Sequence, residues 1–484
     1  MTATEPEPVA DAAPALTPTA ATQRADALDA LRGVAILGMA LSGYVPRQVL
    51  PAWMYHAQLP PPEHIFDHNL PGLTWVDLVF PFFLFSMGAA FPLALGRRLD
   101  AGDKLSGLAG NALRRGGLLL AFALYVQAIN PYLLANPPGA PTWGMALLGF
   151  ALLFPALARL PRDWPTWTRV IARVFGWTGC AGLMVSLHYA DGSGFSWQRS
   201  DIIIVVLANT VVTGSFLWLV SRHNWTLRML VMLGLLGLRL ARDEPGWVQT
   251  VWGYTPNNQL YQLYFQQYLL VVMPGTLAGD LLRAHLRGND PPVGMSWGLA
   301  RRWLVGMLTA AVLCGLLIGY QARWTTFTPI AVASGLVALL AIARDGLGET
   351  GMLRRLLLWG ACFVALGMVF EPYEGGIKKD PSTVSYYLLT AGMAFFALVL
   401  LHLGRGFVRR RLAWLLIDSG RNPMIAYVAI RNLIPPVLGL IGVEAWLLTH
   451  SAGPCLGLGR AMGKTLLVAL AVCWLTRRRI YWRT

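Results

Sequence analysis

The chain has 484 residues, 55% hydrophobic and only 13% charged, whereas globular domains carry about 25% charged residues, so it has too little polar surface for a water-soluble fold. The formal net charge of +15 sits in short clusters between apolar runs, where positive-inside topology accounts for it and nucleic-acid binding is excluded as its source. Five cysteines, Cys180, Cys314, Cys362, Cys455 and Cys473, are widely spaced and form no disulfide or zinc pattern.

Residues 1–23 are rich in Ala, Pro and Thr and lack both the basic start and the apolar core of a signal peptide. They are expected to be a disordered tail, leaving 24–484 as a single transmembrane domain. A spanning helix needs about 20 mostly apolar residues. Such runs lie near 28–45, 73–95, 116–134, 143–160, 168–188, 201–220, 225–239, 264–282, 302–320, 327–343, 353–371, 385–402, 422–440 and 462–476. Residues 225–239 and the last two runs are the weakest. The expected fold is all-α: a polytopic integral membrane helix bundle of about 11–14 transmembrane helices.

Alternate loops carry the basic residues. Arg97, Arg98, Lys104, Arg114 and Arg115 follow the second run; Arg159, Arg162 and Arg169 follow the fourth; Arg405, Arg409, Arg410 and Arg411 precede the thirteenth, and Arg477, Arg478 and Arg479 lie near the end. Cytoplasmic loops hold such excesses, so both termini are expected in the cytoplasm of a multi-pass protein. Two outward segments break the pattern. Segment 239–263 contains Arg239 and Arg242, and 371–386 contains Lys378 and Lys379; a phospholipid headgroup or an anionic ligand would account for the lysine pair.

The first outward loop, 46–72, is the most unusual segment, with His56, His64, His68, Glu63 and Asp67. Histidine is the side chain best suited to proton transfer near neutral pH, although a solvated or hydrogen-bonded loop histidine is the ordinary alternative. The i, i+4 spacing of His64 and His68 would seat a metal on a helix, but prolines 60, 61 and 62 argue against a helix, and no metal is expected. Asp77, near the outward start of the next run, either caps locally or orients a loop histidine. Asp29 and Arg32 are spaced for an ion pair across one turn, with phosphate binding by Arg32 the alternative. Asn422 opens an apolar run as a candidate helix cap. Arg431 lies inside that run, where a charge requires a partner or an aqueous cavity.

Taken together, LDALRGVAILGM (28–39), HAQ (56–58), GLTWVDLVFPFFLFSMG (72–88), GGIKKDPSTVSY (375–386) and GRNPMIAYV (420–428) resemble the heparan-α-glucosaminide N-acetyltransferase-like family of transmembrane acyltransferases, bacterial members included. The central part of the chain matches only as apolar helices. The resemblance implies an enzyme of the bacterial inner membrane that moves an acetyl group from cytosolic acetyl-CoA to an amino sugar or glycan outside. It implies an outward catalytic histidine, His56 with His68 in reserve, oriented by Asp77. Arg32, Lys378 and Lys379 are then candidates for the CoA phosphates. Ser42, or its neighbour, falls where the family has an active-site asparagine, and Asn422 lies in a family segment; both are substrate-binding candidates. Expected partners are membrane lipids and a saccharide acceptor, with a homodimer left open. The competing expectation is a secondary transporter of a small polar or anionic solute, which calls for internal repeats; no convincing repeat is visible. A non-catalytic envelope scaffold is the third.

Overall fold

The computed structural model describes residues 20–161, 163–287, 297–345, 349–404 and 410–483. Residues 1–19 of the expected tail, and Arg162, Arg405 and Arg409 of the basic clusters, lie outside the described residues. Every apolar run singled out above is helical. The first half comprises α1 (Ala20–Tyr44), α2 (Trp75–Asp100), α3 (Leu105–Ala128), the single turn α4 (Pro131–Leu134), α5 (Ala140–Leu157), α6 (Thr166–Ser186), α7 (Ile202–Ser221) and α8 (Trp225–Leu240). Short α9 (Trp247–Gly253) and α10 (Leu263–Gln266) lead into α11 (Leu269–Leu286), α12 (Leu299–Gln321), α13 (Phe327–Ile342), α14 (Glu349–Val369) and α15 (Val384–Leu403). The chain closes with α16 (Arg410–Arg421), α17 (Pro423–Asn432), α18 (Ile434–Leu440), α19 (Val443–His450) and α20 (Pro454–Arg477).

The protein is an all-α polytopic bundle. Ten helices among the described residues are long and apolar enough to cross a membrane, with α10–α11 and α17–α18 each counted as one. Four of the fourteen expected spans do not qualify by length and composition. Arginines interrupt α3 (Arg114, Arg115) and α6 (Arg169, Arg173), while α8 and α13 are only 16 residues each. Helix α1 begins at Ala20, so the last residues of the expected tail are helical. Helix α16 was hidden in the sequence because its apolar residues share one face and never form a continuous run.

Glycines set the closest helix contacts. A Cβ at Gly88 of α2 would lie 2.0 Å from the Val272 carbonyl oxygen of α11, and Cβ atoms at Gly275 and Gly279 would lie 2.2 and 2.3 Å from the carbonyls of Phe85 and Ala89. The two helices therefore touch backbone to backbone, as small-xxx-small pairs allow where lipid offers no hydrophobic drive for association. Gly33 and Gly420 do the same for α1 and α16, against the carbonyls of Leu416 and Asp29.

Charges drawn into the bundle are paired. Arg228 of α8 is fully buried, 2.6 Å from Asp280 of α11 and 3.0 Å from Thr276 Oγ1, and Trp218 Nε1 donates to the other Asp280 oxygen at 3.1 Å. Arg239, which contradicted the loop charge rule, is buried 2.8 Å from Glu374 and donates to the Ser382 carbonyl at 2.5 Å. It anchors the 371–383 loop and leaves no free charge to be oriented across a membrane.

Gly88→Ala is expected to destabilise the bundle by about 1–3 kcal/mol, the usual range for overpacking, whereas Gly182→Ala in α6, where a Cβ meets open space, should be near neutral. Thermal unfolding of the purified protein in detergent checks this, and equal losses from both substitutions would contradict the close contact.

Candidate active site

The site begins with the start of α2. Thr74 is its N-cap and Asp77 its third residue, forming a capping box: Thr74 N and Oγ1 both donate to Asp77 Oδ2 at 2.9 Å. This satisfies donors that a helix start leaves unpaired. The other oxygen, Oδ1, is left to face the 46–72 loop, where His56 Nδ1 lies 2.6 Å away. One carboxylate therefore both caps α2 and lies against a loop histidine.

His56 Nε2 lies 3.0 Å from Asp380 Oδ2. Asp380 follows Lys379, whose Nζ is 4.0 Å from Asp77 Oδ1. One imidazole is thus held between two carboxylates. Burial works against its charged form, but Asp380 and Asp77 outweigh this and raise the His56 pKa above its ordinary value. The hydrogen bond with His56 in turn holds the Asp380 carboxyl below the usual carboxylate range, against desolvation. These residues border a cavity of about 200 Å³ that His68, Gln58, Thr74, Gln321 and Arg323 also line. Asp380 is 55% exposed at its side chain, so it is the partner that an incoming molecule can displace.

The remaining candidates are dispersed. His68 lines the same cavity and packs edge-on against Phe66, with ring centroids 5.5 Å apart. His64 has a positive φ of 46° and faces a different cavity, so the helical premise behind a His64–His68 metal pair does not hold. Lys378 lines another pocket, with Arg239, Arg242 and Glu374, apart from Lys379. Arg32 donates to Asp29 at 3.2 Å and to the carbonyls of Gly420 and Ser86 at 3.2 and 3.3 Å, tying α1 to α2 and α16. Ser86 is nine residues beyond Asp77, which at 1.5 Å per residue puts Arg32 roughly 13 Å deeper along α2. Ser42 donates to its own helix at Met39 and lines the larger cavity that His64 faces. Asn422 is fully buried, and its carboxamide donates to the Ile480 carbonyl at 2.7 Å and accepts from Trp482 N at 3.4 Å, clamping the chain's end.

A family model described as a domain of unknown function, DUF5009, matches residues 24–282, more than half of the chain. The chain belongs to the DUF5009 family. A comparison with curated proteins gives no match. The DUF5009 segment runs from α1 into α11 and includes His56 and Asp77, while Lys379 and Asp380 come from beyond it. The site is therefore completed across the family segment's boundary by the loop before α15.

Asp380 is not marked by the sequence, although it lies in GGIKKDPSTVSY, because its partner His56 is 324 residues away. The signal was present only as an acid beside a basic pair in one of the segments that carry the family resemblance.

A group whose folded pKa is raised adds stability that is fully present below its unfolded pKa and lost as pH rises through the folded value. His56→Gln should therefore lower the melting temperature more at about pH 5.5 than at about pH 9. An equal loss at both would mean that the carboxylates do not hold an imidazolium.

Proposed function

We propose that this protein is a transmembrane acyltransferase that moves an acetyl or other acyl group from cytosolic acyl-CoA to an amino sugar or glycan on the far side of the bacterial inner membrane. The observation that carries the reading is the His56 imidazole set between Asp77 and Asp380, at the bundle end that this reading places outside. In this reading both termini are cytoplasmic, and acyl-CoA is a substrate, with its phosphates on the arginine-rich side.

The chemistry follows from the two carboxylates. Asp77, locked by the helix cap, holds Nδ1 and keeps the ring oriented. An acceptor entering the cavity displaces the exposed Asp380 and leaves Nε2 free. The acceptor nitrogen or oxygen attacks the thioester carbonyl carbon, its proton passes to Nε2, the C–S bond breaks, and the thiolate leaves as the thiol after protonation. A transient acyl-His56 would serve the same overall exchange in two steps. Lys379, beside Asp77, supplies positive charge where the tetrahedral oxygen develops. A narrow apolar slot of about 30 Å³ lies among Ile36, Phe80, Phe83, Leu119 and Phe122.

Secondary transport of a small anionic solute is the second reading, favoured by a large cation-lined cavity at the histidine-loop end that adjoins this slot. Transport predicts solute flux that does not depend on acyl-CoA.

With purified protein, radiolabelled acetyl-CoA and a panel of amino sugars, His56→Ala should lower transfer by about 10²–10⁴-fold, the usual worth of a general base, and His68→Ala should leave most of it. Transfer that survives His56→Ala would end the assignment. Since the neutral imidazole acts as base, transfer should fall as pH drops through the raised His56 pKa. Asp380→Asn removes one cause of that rise, so the acid limb of its pH–rate profile should move to lower pH.

A further inference from the structure

Beside the His56 pocket lies a much larger cavity of about 1260 Å³ that the chemistry above leaves unused. It exceeds the roughly 300–1,000 Å³ of ordinary small-molecule sites. Its lining comes from the end of α1, the 46–66 loop, the end of α3, and helices α17, α19 and α20, with Gln58 shared between it and the His56 pocket. Four cationic side chains, Arg47, Arg431, Arg460 and Lys464, and one carboxylate, Glu444, face this space.

Lys464 Nζ lies 2.5 Å from Glu444 Oε1, so these two charges offset each other. Arg460 is held in place by neutral oxygens, Ser451 Oγ at 2.8 Å and the Ser451 carbonyl at 3.4 Å, so its charge is positioned and uncancelled. Arg47 and Arg431 are exposed to the cavity and pair with no carboxylate among the described residues. Unpartnered polar atoms gather on the same walls. His64 is 6% exposed with neither ring nitrogen hydrogen-bonded, and Asn432 Oδ1 and Glu444 Oε2 also lack partners. Tyr44, Tyr132 and Tyr427 with Gln127 and Asn130 add flat faces and amides suited to hydroxylated rings.

Toward the bundle interior the cavity adjoins the apolar slot, with which it shares Met39, Ile203 and Tyr427. That slot, about 30 Å³, has no room for a lipid chain. The occupant is therefore hydrophilic and enters from the histidine-loop end. We infer that this cavity is a binding site for a soluble phosphate- or carboxylate-bearing saccharide, its acid group held by Arg47, Arg431 and Arg460. Guanidinium groups suit both oxyanions, because each presents paired donors to two oxygens. The inference concerns binding and stands whether or not His56 transfers an acyl group.

The test is calorimetric titration of the full chain, in nanodiscs of neutral phosphatidylcholine, with glucose 6-phosphate, glucuronate and glucose. The two acids should bind and glucose should bind at least about tenfold more weakly. Arg47→Gln combined with Arg431→Gln should weaken the acids at least tenfold and leave glucose unchanged, while His56→Ala should retain acid binding. As a check that needs no variant, wild-type affinity for the acids should fall as sodium chloride is raised. Equal binding of acid and neutral sugars, or an unaltered double variant that remains folded, would overturn the inference. So would loss of acid binding in phosphatidylglycerol nanodiscs, which would assign the cations to a lipid headgroup. Acid binding by a protein inactive in acyl transfer would remove the enzymatic reading and leave this one standing.

Discussion

Helices that begin at the edge of an apolar bundle must satisfy their first backbone donors, and here carboxylates meet that need while holding something else. Asp77 caps α2 through one oxygen and faces His56 with the other. Asp201 caps α7 at Ile204 N, 3.2 Å, and accepts from Tyr427 at 2.6 Å. Glu374 accepts from Val384 N at the start of α15, 2.7 Å, and pairs with Arg239. A helix N-terminus favours an anion through both its free N–H groups and its dipole. An acid placed there is held rigid, and its second oxygen is presented at a fixed position to a distant residue.

This device gives the histidine-loop end its order. Loops there have little regular structure, yet His56, Tyr427 and Arg239 are each placed by a helix start. The helices themselves are placed by the glycine contacts of α2 with α11 and α1 with α16. Rigid backbone contact below and shared carboxylates above explain how an irregular loop can present one imidazole between two acids.

The two cavities divide the same end by chemistry. The smaller is nearly charge-balanced, with Asp77 and Asp380 set against Lys379, Arg323 and His56. The larger has a cation excess. Gln58, donating to the His64 carbonyl, stands between them.

Hydrophobic runs alone determined the helical class and the location of the helices, because a segment in lipid must satisfy its backbone internally and be apolar for most of its length. His56 and Asp77 were also legible, as a histidine-rich loop and an acid at the edge of a span, and Arg431 inside an apolar run called for a partner or a cavity. Helix α16 was not, since an amphipathic stretch needs a neighbour to show what its apolar face covers. Nor was the partnership of Asp380 with His56, 324 residues apart. Only the tertiary structure separated Lys378 from Lys379, committed Asn422 to the chain's end and neutralised Arg239. Pairing of charges depends on distances of a few ångströms between remote segments, and spacing along the chain carries no information about those distances.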